Sequence, residues 1–157
     1  MILNILITIG TFFMMELVAW ATHKFLMHGL LWKLHEDHHI KDDPNKFLES
    51  NDSFFVIFAV PGIACIASGT LFGVPYCLAI GLGITLYGVC YFLVHDVFIH
   101  QRIKWFRNSD NVYFRAIRRA HKMHHKHITK HDGECFGMLI VPYKYLRQEL
   151  LKKWNFF

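Results

Sequence analysis

The chain is short of charge. Asp, Glu, Lys and Arg together make up 18% of its 157 residues, against roughly 25% in an average soluble domain. No two cysteines have the C-x-x-C spacing. The four stand at 65, 77, 90 and 135, three of them within apolar runs. This argues against a disulfide framework or a zinc–thiolate site, and for small buried hydrophobes. No basic stretch precedes the first apolar run and no small-x-small pattern follows it, so a cleavable signal peptide is not expected. Low-complexity sequence is absent. No Lys or Arg precedes Lys24, and the seventeen in the chain flank apolar runs. That placement suits a membrane surface, so the net charge of +5 and pI near 9.1 do not argue for a nucleic-acid partner.

Apolar sequence is abundant. The hydrophobic class reaches 54%, aromatics 16%, and mean hydropathy is +0.26. Three runs stand out, at residues 2–22, 54–72 and 76–94. About twenty helical residues span roughly 30 Å, the thickness of a hydrocarbon core. Glu16 is the single charge in the first run, and Pro61-Gly62 marks a kink in the second. Gly81, Gly83 and Gly88 in the third permit close helix contact. The turn Gly73-Val74-Pro75 is so short that the second and third runs must form an antiparallel hairpin. If the first run ends on one side at residue 22, the hairpin leaves that side at 54 and returns at about 95. All twelve His and all seventeen Lys and Arg then share one side, which the positive-inside rule makes cytoplasmic.

The expected fold class is an all-α integral membrane protein. It has about three to four transmembrane helices and cytoplasmic helices carrying a metal site, in a single domain over 1–157. Residues 41–53, with Pro44, read as a loop. Residues of about 110–128 form an amphipathic helix, with Val112, Phe114, Ile117, Ala120 and Met123 set between Arg115, Arg118 and Arg119. With Lys122 and Lys126 these arginines suit anionic lipid or an acidic partner. Residues 135–146 are apolar but too short to span; they lie in the interface or cap the site. The tail from Arg147 mixes basic and aromatic residues and suits a membrane surface.

The histidines carry the chemistry. His23-x4-His28 is followed by His35-x2-His38-His39, and both spacings recur in order as His95-x4-His100 and His121-x2-His124-His125. Each triplet at i, i+3 and i+4 shares one helix face and can offer imidazole nitrogens to a metal. Residues five apart are turned about 140° on a straight α-helix. Each such pair is therefore expected to reach two neighbouring ions, unless the helix ends, as Gly29 allows. Ten imidazoles exceed one coordination sphere and suit two ions. Imidazole alone leaves zinc, copper, iron and nickel open. No thiolate or evident carboxylate set competes, unlike the carboxylate di-iron bundles. Candidates to orient the ligands are Glu16, a carboxylate inside a span, with Asp52 and Asp96. Trp20, Phe25, Tyr87, Tyr91, Phe92 and Phe98 are candidates to line a substrate path.

These motifs carry a family resemblance. The stretches MMELVAWATHKFLMHGLLWKLHEDHH, ESNDSFFVIFA, TLYGVCYFLVHDVFIHQR, AHKMHHK and FGMLIVP resemble the bacterial beta-carotene hydroxylases, within the membrane fatty acid hydroxylase superfamily. The resemblance runs from about residue 14 to 145. It implies two non-haem irons held by the ten motif histidines, with zinc a possible occupant of a purified sample. It also implies O2 as co-substrate and electrons from a ferredoxin or similar donor. The reaction it implies is hydroxylation at carbon 3 of beta-ionone rings, taking beta-carotene through beta-cryptoxanthin to zeaxanthin. The setting would be the lipid bilayer of a bacterial inner membrane. The superfamily motif alone also fits a fatty acid or sterol hydroxylase or desaturase. A histidine-rich metal transporter is the alternative of another class. The segment KHITKHDGECFG departs from the family pattern of an acidic residue near His131 and a serine near Cys135. His131, like His127, is a candidate extra ligand or proton carrier.

Overall fold

The computed structural model describes residues 1–40, 47–105 and 108–154. The first part of the expected 41–53 loop and the last three residues of the tail lie outside the described residues. Among the described residues there are six α-helices and no strand: α1 Ile2–Ala21, α2 Trp32–His39, α3 Ser53–Leu71, α4 Cys77–Phe92, α5 Val112–His124 and α6 Tyr143–Trp154. α1 runs on into a π-helical segment, Thr22–Leu30, and α4 into another, Leu93–Ile99. Three continuous helices, Ile2–Leu30, Ser50–Leu71 and Cys77–Ile99, are long and apolar enough to cross a membrane. Large apolar side chains such as Leu6, Phe13, Ile63 and Leu82 are exposed on them. Helices with such outer faces satisfy their backbone internally and leave hydrocarbon for lipid.

Two glycines set how closely these helices pack. A Cβ on Gly81 would lie 2.8 Å from the Ile66 nitrogen of α3 and 2.9 Å from the Gly62 oxygen. One on Gly83 would lie 2.6 Å from Thr11 Cβ and 2.7 Å from the Thr8 oxygen of α1. Backbones meet there because no side chain intervenes. The Thr8 hydroxyl donates to the Ala79 carbonyl at 3.0 Å. Gly88 departs from the expected packing role: a Cβ there meets nothing within 4 Å, and the residue lines a cavity. Met15, Ala19 and Tyr87 form the buried centre of this three-helix unit.

The remaining helices sit beyond the ends of the spans. The Asn111 side chain caps α5, accepting from the Tyr113 and Phe114 N–H groups at 2.9 and 3.2 Å. α5 ends at His124, short of the amphipathic stretch that periodicity outlines. Its Ala116 and Ala120 pack on Tyr145 of α6. α6 itself was not anticipated, and it changes the reading of the basic cluster. Buried Glu149 takes Arg115 at 3.0 Å, Arg119 at 3.1 Å and Lys152 at 3.0 Å. Arg118 donates to the Phe98 carbonyl at 2.9 Å and lies over the Phe98 ring. These three arginines tie elements of the chain together; Lys122 and Lys126 remain exposed.

Candidate metal centre

The helices bring together all ten histidines of the repeated spacings. His23, His28, His35, His39 and His124 form one group, and His38, His95, His100 and His121 a second. Within each group one ring nitrogen per residue lies within 4.8 Å of the others. His125 stands between them. Its Nε2 is 2.8 Å from that of His121, and its ring is 4.6 Å from those of both His38 and His39.

Two expectations about spacing are corrected here. The pairs five residues apart do not diverge toward separate ions: His23 and His28 share one group, His95 and His100 the other. The cause is the π-helical turn, whose i→i+5 bonds bring such residues back toward one face. The His100 N–H donates to the His95 carbonyl at 2.9 Å, and the Leu31 N–H to that of Leu26 at 2.8 Å. At Gly29 the backbone leaves helical space (φ −120°, ψ −111°) and turns into α2. The triplets, conversely, divide. His35 and His39 face the first group and His38 the second; His124 faces the first and His121 the second.

The outer ring nitrogens decide what the inner ones can do. Nδ1 of His23, His28 and His124 meets the carbonyls of Phe136 at 3.0 Å, Lys130 at 3.4 Å and Glu134 at 2.8 Å. Nδ1 of His35 meets Asn51 Oδ1 at 2.6 Å, that of His38 Glu49 Oε2 at 2.8 Å, and that of His95 Asp96 Oδ2 at 3.0 Å. All six partners accept, so each Nδ1 donates and a neutral ring keeps a bare lone pair on Nε2. Yet those Nε2 atoms face one another: His23 and His35 at 3.0 Å, His28 and His124 at 3.3 Å, His38 and His95 at 3.1 Å. Protonation does not relieve the conflict, because burial and then the neighbouring imidazoles disfavour the charged form. His35 is pushed down to about 3, His39 to about 4, and His38, His121 and His124 move the same way. Converging lone pairs on buried, oriented imidazoles fit a bound cation, and this donor set fits iron or zinc.

Glu16, Asp52, Asp96 and His131 stand differently from one another. Asp96 meets His95 directly and also pairs with Arg102 Nε at 3.1 Å. Asp52 pairs with Arg102 at 2.8 Å and accepts the Glu49 N–H at 3.0 Å. Arg102 also reaches Glu49 at 2.9 Å. Glu16 accepts the N–H groups of Met138, Leu139 and Ile140 on one oxygen, each at 2.9 Å. Its other oxygen takes the Tyr87 hydroxyl at 2.7 Å. It thereby anchors a strap, residues 130–140, whose Phe136, Lys130 and Glu134 carbonyls orient His23, His28 and His124. The part of 135–146 that precedes α6 therefore belongs to the cap over the histidines, and from Tyr143 onward it is α6. His131 is exposed, with its backbone bonded to Thr129 Oγ1. Sequence reasoning missed Glu49 and Arg102 and passed over Asn51. Arg102 ends the stretch TLYGVCYFLVHDVFIHQR, but nothing local says which carboxylates it meets.

A cavity of about 500 Å³ opens between α1, α3 and α4. Apolar side chains such as Met15, Phe58, Ile84 and Phe92 line it, and His23, Asn51 and Phe136 stand at its inner end. Tyr87 and Tyr91 line it as well, whereas Trp20, Phe25 and Phe98 do not. Trp20 and Phe25 are exposed and Phe98 packs on Phe114.

Fold and site define a helical membrane protein with a buried polyhistidine centre at one end of its spans. The family model for fatty acid hydroxylase matches residues 8–144. A beta-carotene hydroxylase of Pseudescherichia vulneris is 44% identical over 140 residues, which cover 88% of this chain and 77% of that protein. One of Paracoccus sp. (strain PC1) is 36% identical over 138 residues, 87% of this chain and 83% of the relative. The chloroplastic beta-carotene 3-hydroxylase of Gentiana lutea is 37% identical over 87% of this chain and 42% of its own length. No solved structure matches the chain. The chain belongs to the fatty acid hydroxylase family and, within it, to the beta-carotene hydroxylases.

Proposed function

We propose that this chain hydroxylates carbon 3 of beta-ionone rings, converting beta-carotene to beta-cryptoxanthin and then zeaxanthin. It does so as a monooxygenase with two irons, O2 and electrons from a ferredoxin-type donor. His23, His28, His35, His39 and His124 would hold one iron. His38, His95, His100 and His121 would hold the other, with His125 between them. What iron supplies when bound is activation of O2 against an unactivated C–H bond, which no side-chain acid, base or nucleophile can attack. The observation that carries the reading is the apolar cavity that ends on His23. Its walls offer a bilayer-dissolved polyene a dry path from the spans to the centre and keep water from the reacting carbon. Phe136 closes the inner end, and the carbonyls of the strap hold the ring nitrogens in one tautomer. The centre would face the cytoplasm of a bacterial inner membrane, where exposed Lys122 and Lys126 are available to anionic lipid or to an acidic donor.

The test is expression in cells that make beta-carotene, with chromatography of the pigments. Beta-cryptoxanthin and zeaxanthin are expected. Persistence of beta-carotene alone, with the protein present in the membrane, sinks the reading. His124→Ala is expected to abolish the products at unchanged expression; unaltered turnover would remove His124 from the ligand set.

A further inference from the structure

We propose that Glu49 and Asp96, which Arg102 draws together with Asp52, are positioning groups that serve only one of the two histidine groups and make a metal there the more tightly held. This rests on the reading of the histidine groups as metal positions. The outer partners divide by charge. In the group of His23 they are the carbonyls of Phe136, Lys130 and Glu134 and the amide oxygen of Asn51. All four are neutral. In the group of His38, the outer nitrogens of His38 and His95 meet the carboxylates of Glu49 and Asp96. Arg102 binds both of these and Asp52, at 2.9, 3.1 and 2.8 Å. Carboxylates on the other side are directed elsewhere: Glu134 binds Lys144 and Tyr145, and Glu16 holds the strap and Tyr87.

A carboxylate behind an imidazole raises the basicity of its inner nitrogen and favours a cation there; a neutral carbonyl mainly orients the ring. The difference is large here because Glu49 and Asp96 are buried and little water screens them. Arg102 donates a hydrogen bond to Asp52 and lies within ion-pair distance of Glu49 and Asp96, so one cation draws together carboxylates from two separate stretches of the chain. The two positions are therefore inequivalent. The one beside the cavity has neutral oxygens behind its rings and exchanges its metal more readily; the one backed by Glu49 and Asp96 keeps it.

The experiment uses the full chain purified in detergent and loaded with cobalt(II), with equivalents counted by elemental analysis and release to a chelator followed in time. His23→Ala disables the cavity-side group and His121→Ala the other, so each leaves one position to be read. Glu49→Gln, which keeps an oxygen for His38 and removes only charge, is expected to weaken binding about 10- to 100-fold in the His23→Ala background and less than about twofold in the His121→Ala background. Equal weakening in both, or weakening in neither, overturns the proposal. Should Glu49→Gln elute as aggregate, Asp96→Asn carries the same expectation, because it keeps an oxygen for His95 and removes only charge; wild-type release in that variant is equally fatal. Two equivalents bound without the split defeat this proposal alone. No cobalt bound by the unmutated chain defeats the metal reading beneath it.

Discussion

At the scale of single residues, buried polar groups each have one function that a substitution can isolate. Glu16 shows this. Its carboxylate accepts three backbone N–H groups and a phenol, and removing it leaves those donors without this acceptor. Glu16→Ala is expected to destabilise the fold by about 3 kcal/mol or more, the scale of buried donors left unpaired. Thermal unfolding in detergent measures it, with Glu16→Gln, which keeps one acceptor, falling between. A loss confined to turnover, with unfolding unchanged, would contradict an anchoring role. The histidines add a pH dependence. Their imidazoles lie below the ordinary value near 6.5 because burial disfavours the charged ring, His39 at about 4 and His35 at about 3. Between those values and about 6.5 the unfolded chain binds more protons than the folded one, so stability falls as pH falls through that window. Above it these groups add no slope. Unfolding temperatures of metal-free protein are expected to be flat above about pH 6.5 and to drop steadily toward pH 4; a drop on the alkaline side instead would contradict the assignment.

At the scale of elements, the legible parts were those that local pattern determines. Three apolar runs of spanning length read directly as helices, because length and hydropathy suffice in a bilayer. The two histidine spacings pointed to one shared centre. What could not be read was the hydrogen-bond register inside the helices. The His23–His28 spacing was judged on an α-helix, and the π-helical turn changes which residues share a face without altering a letter of the sequence. Nor could pairing across long separations be read: Asp52 and Arg102 are fifty residues apart, and Glu16 reaches more than a hundred residues to its strap. The glycines of α4 illustrate both cases. All three suggested close packing, yet only Gly81 and Gly83 face a backbone. Gly83→Val is expected to force α1 and α4 apart and to lower stability by about 1–3 kcal/mol, read by thermal unfolding. Gly88→Ala, opening onto free space, is expected to leave the unfolding temperature within a degree or so of wild type, well inside the usual ~0.5 kcal/mol range for substitutions that touch nothing. Equal effects at the two positions would contradict the separation of packing face from cavity face.

At the scale of the whole molecule, the proposed function gives the spans two tasks, to place the histidines together and to deliver an apolar molecule to them. The cavity lies between the same helices whose ends carry His23 and His95, so anything that fills it should separate delivery from metal binding. Gly88 is the position to use, since it lines the cavity and has open space above it. Gly88→Leu places a branched side chain at the cavity wall, where a Cβ meets nothing within 4 Å. Hydroxylation of beta-carotene is expected to fall at least about tenfold, as expected when about 1.4 kcal/mol or more of substrate binding is lost. Metal content and unfolding temperature are expected to stay at wild-type values. A smaller substituted monocyclic substrate that reaches less far into the cavity should retain more of its turnover than the full carotenoid. That ordering matters more than the size of the loss. If Gly88→Leu lost metal together with activity, the cavity and the centre would be one packing unit, and the delivery role would fall. If it lost neither, the polyene would have to approach the histidines from outside the three spans, and the aromatic wall formed by Tyr87, Tyr91 and Phe92 would be packing alone.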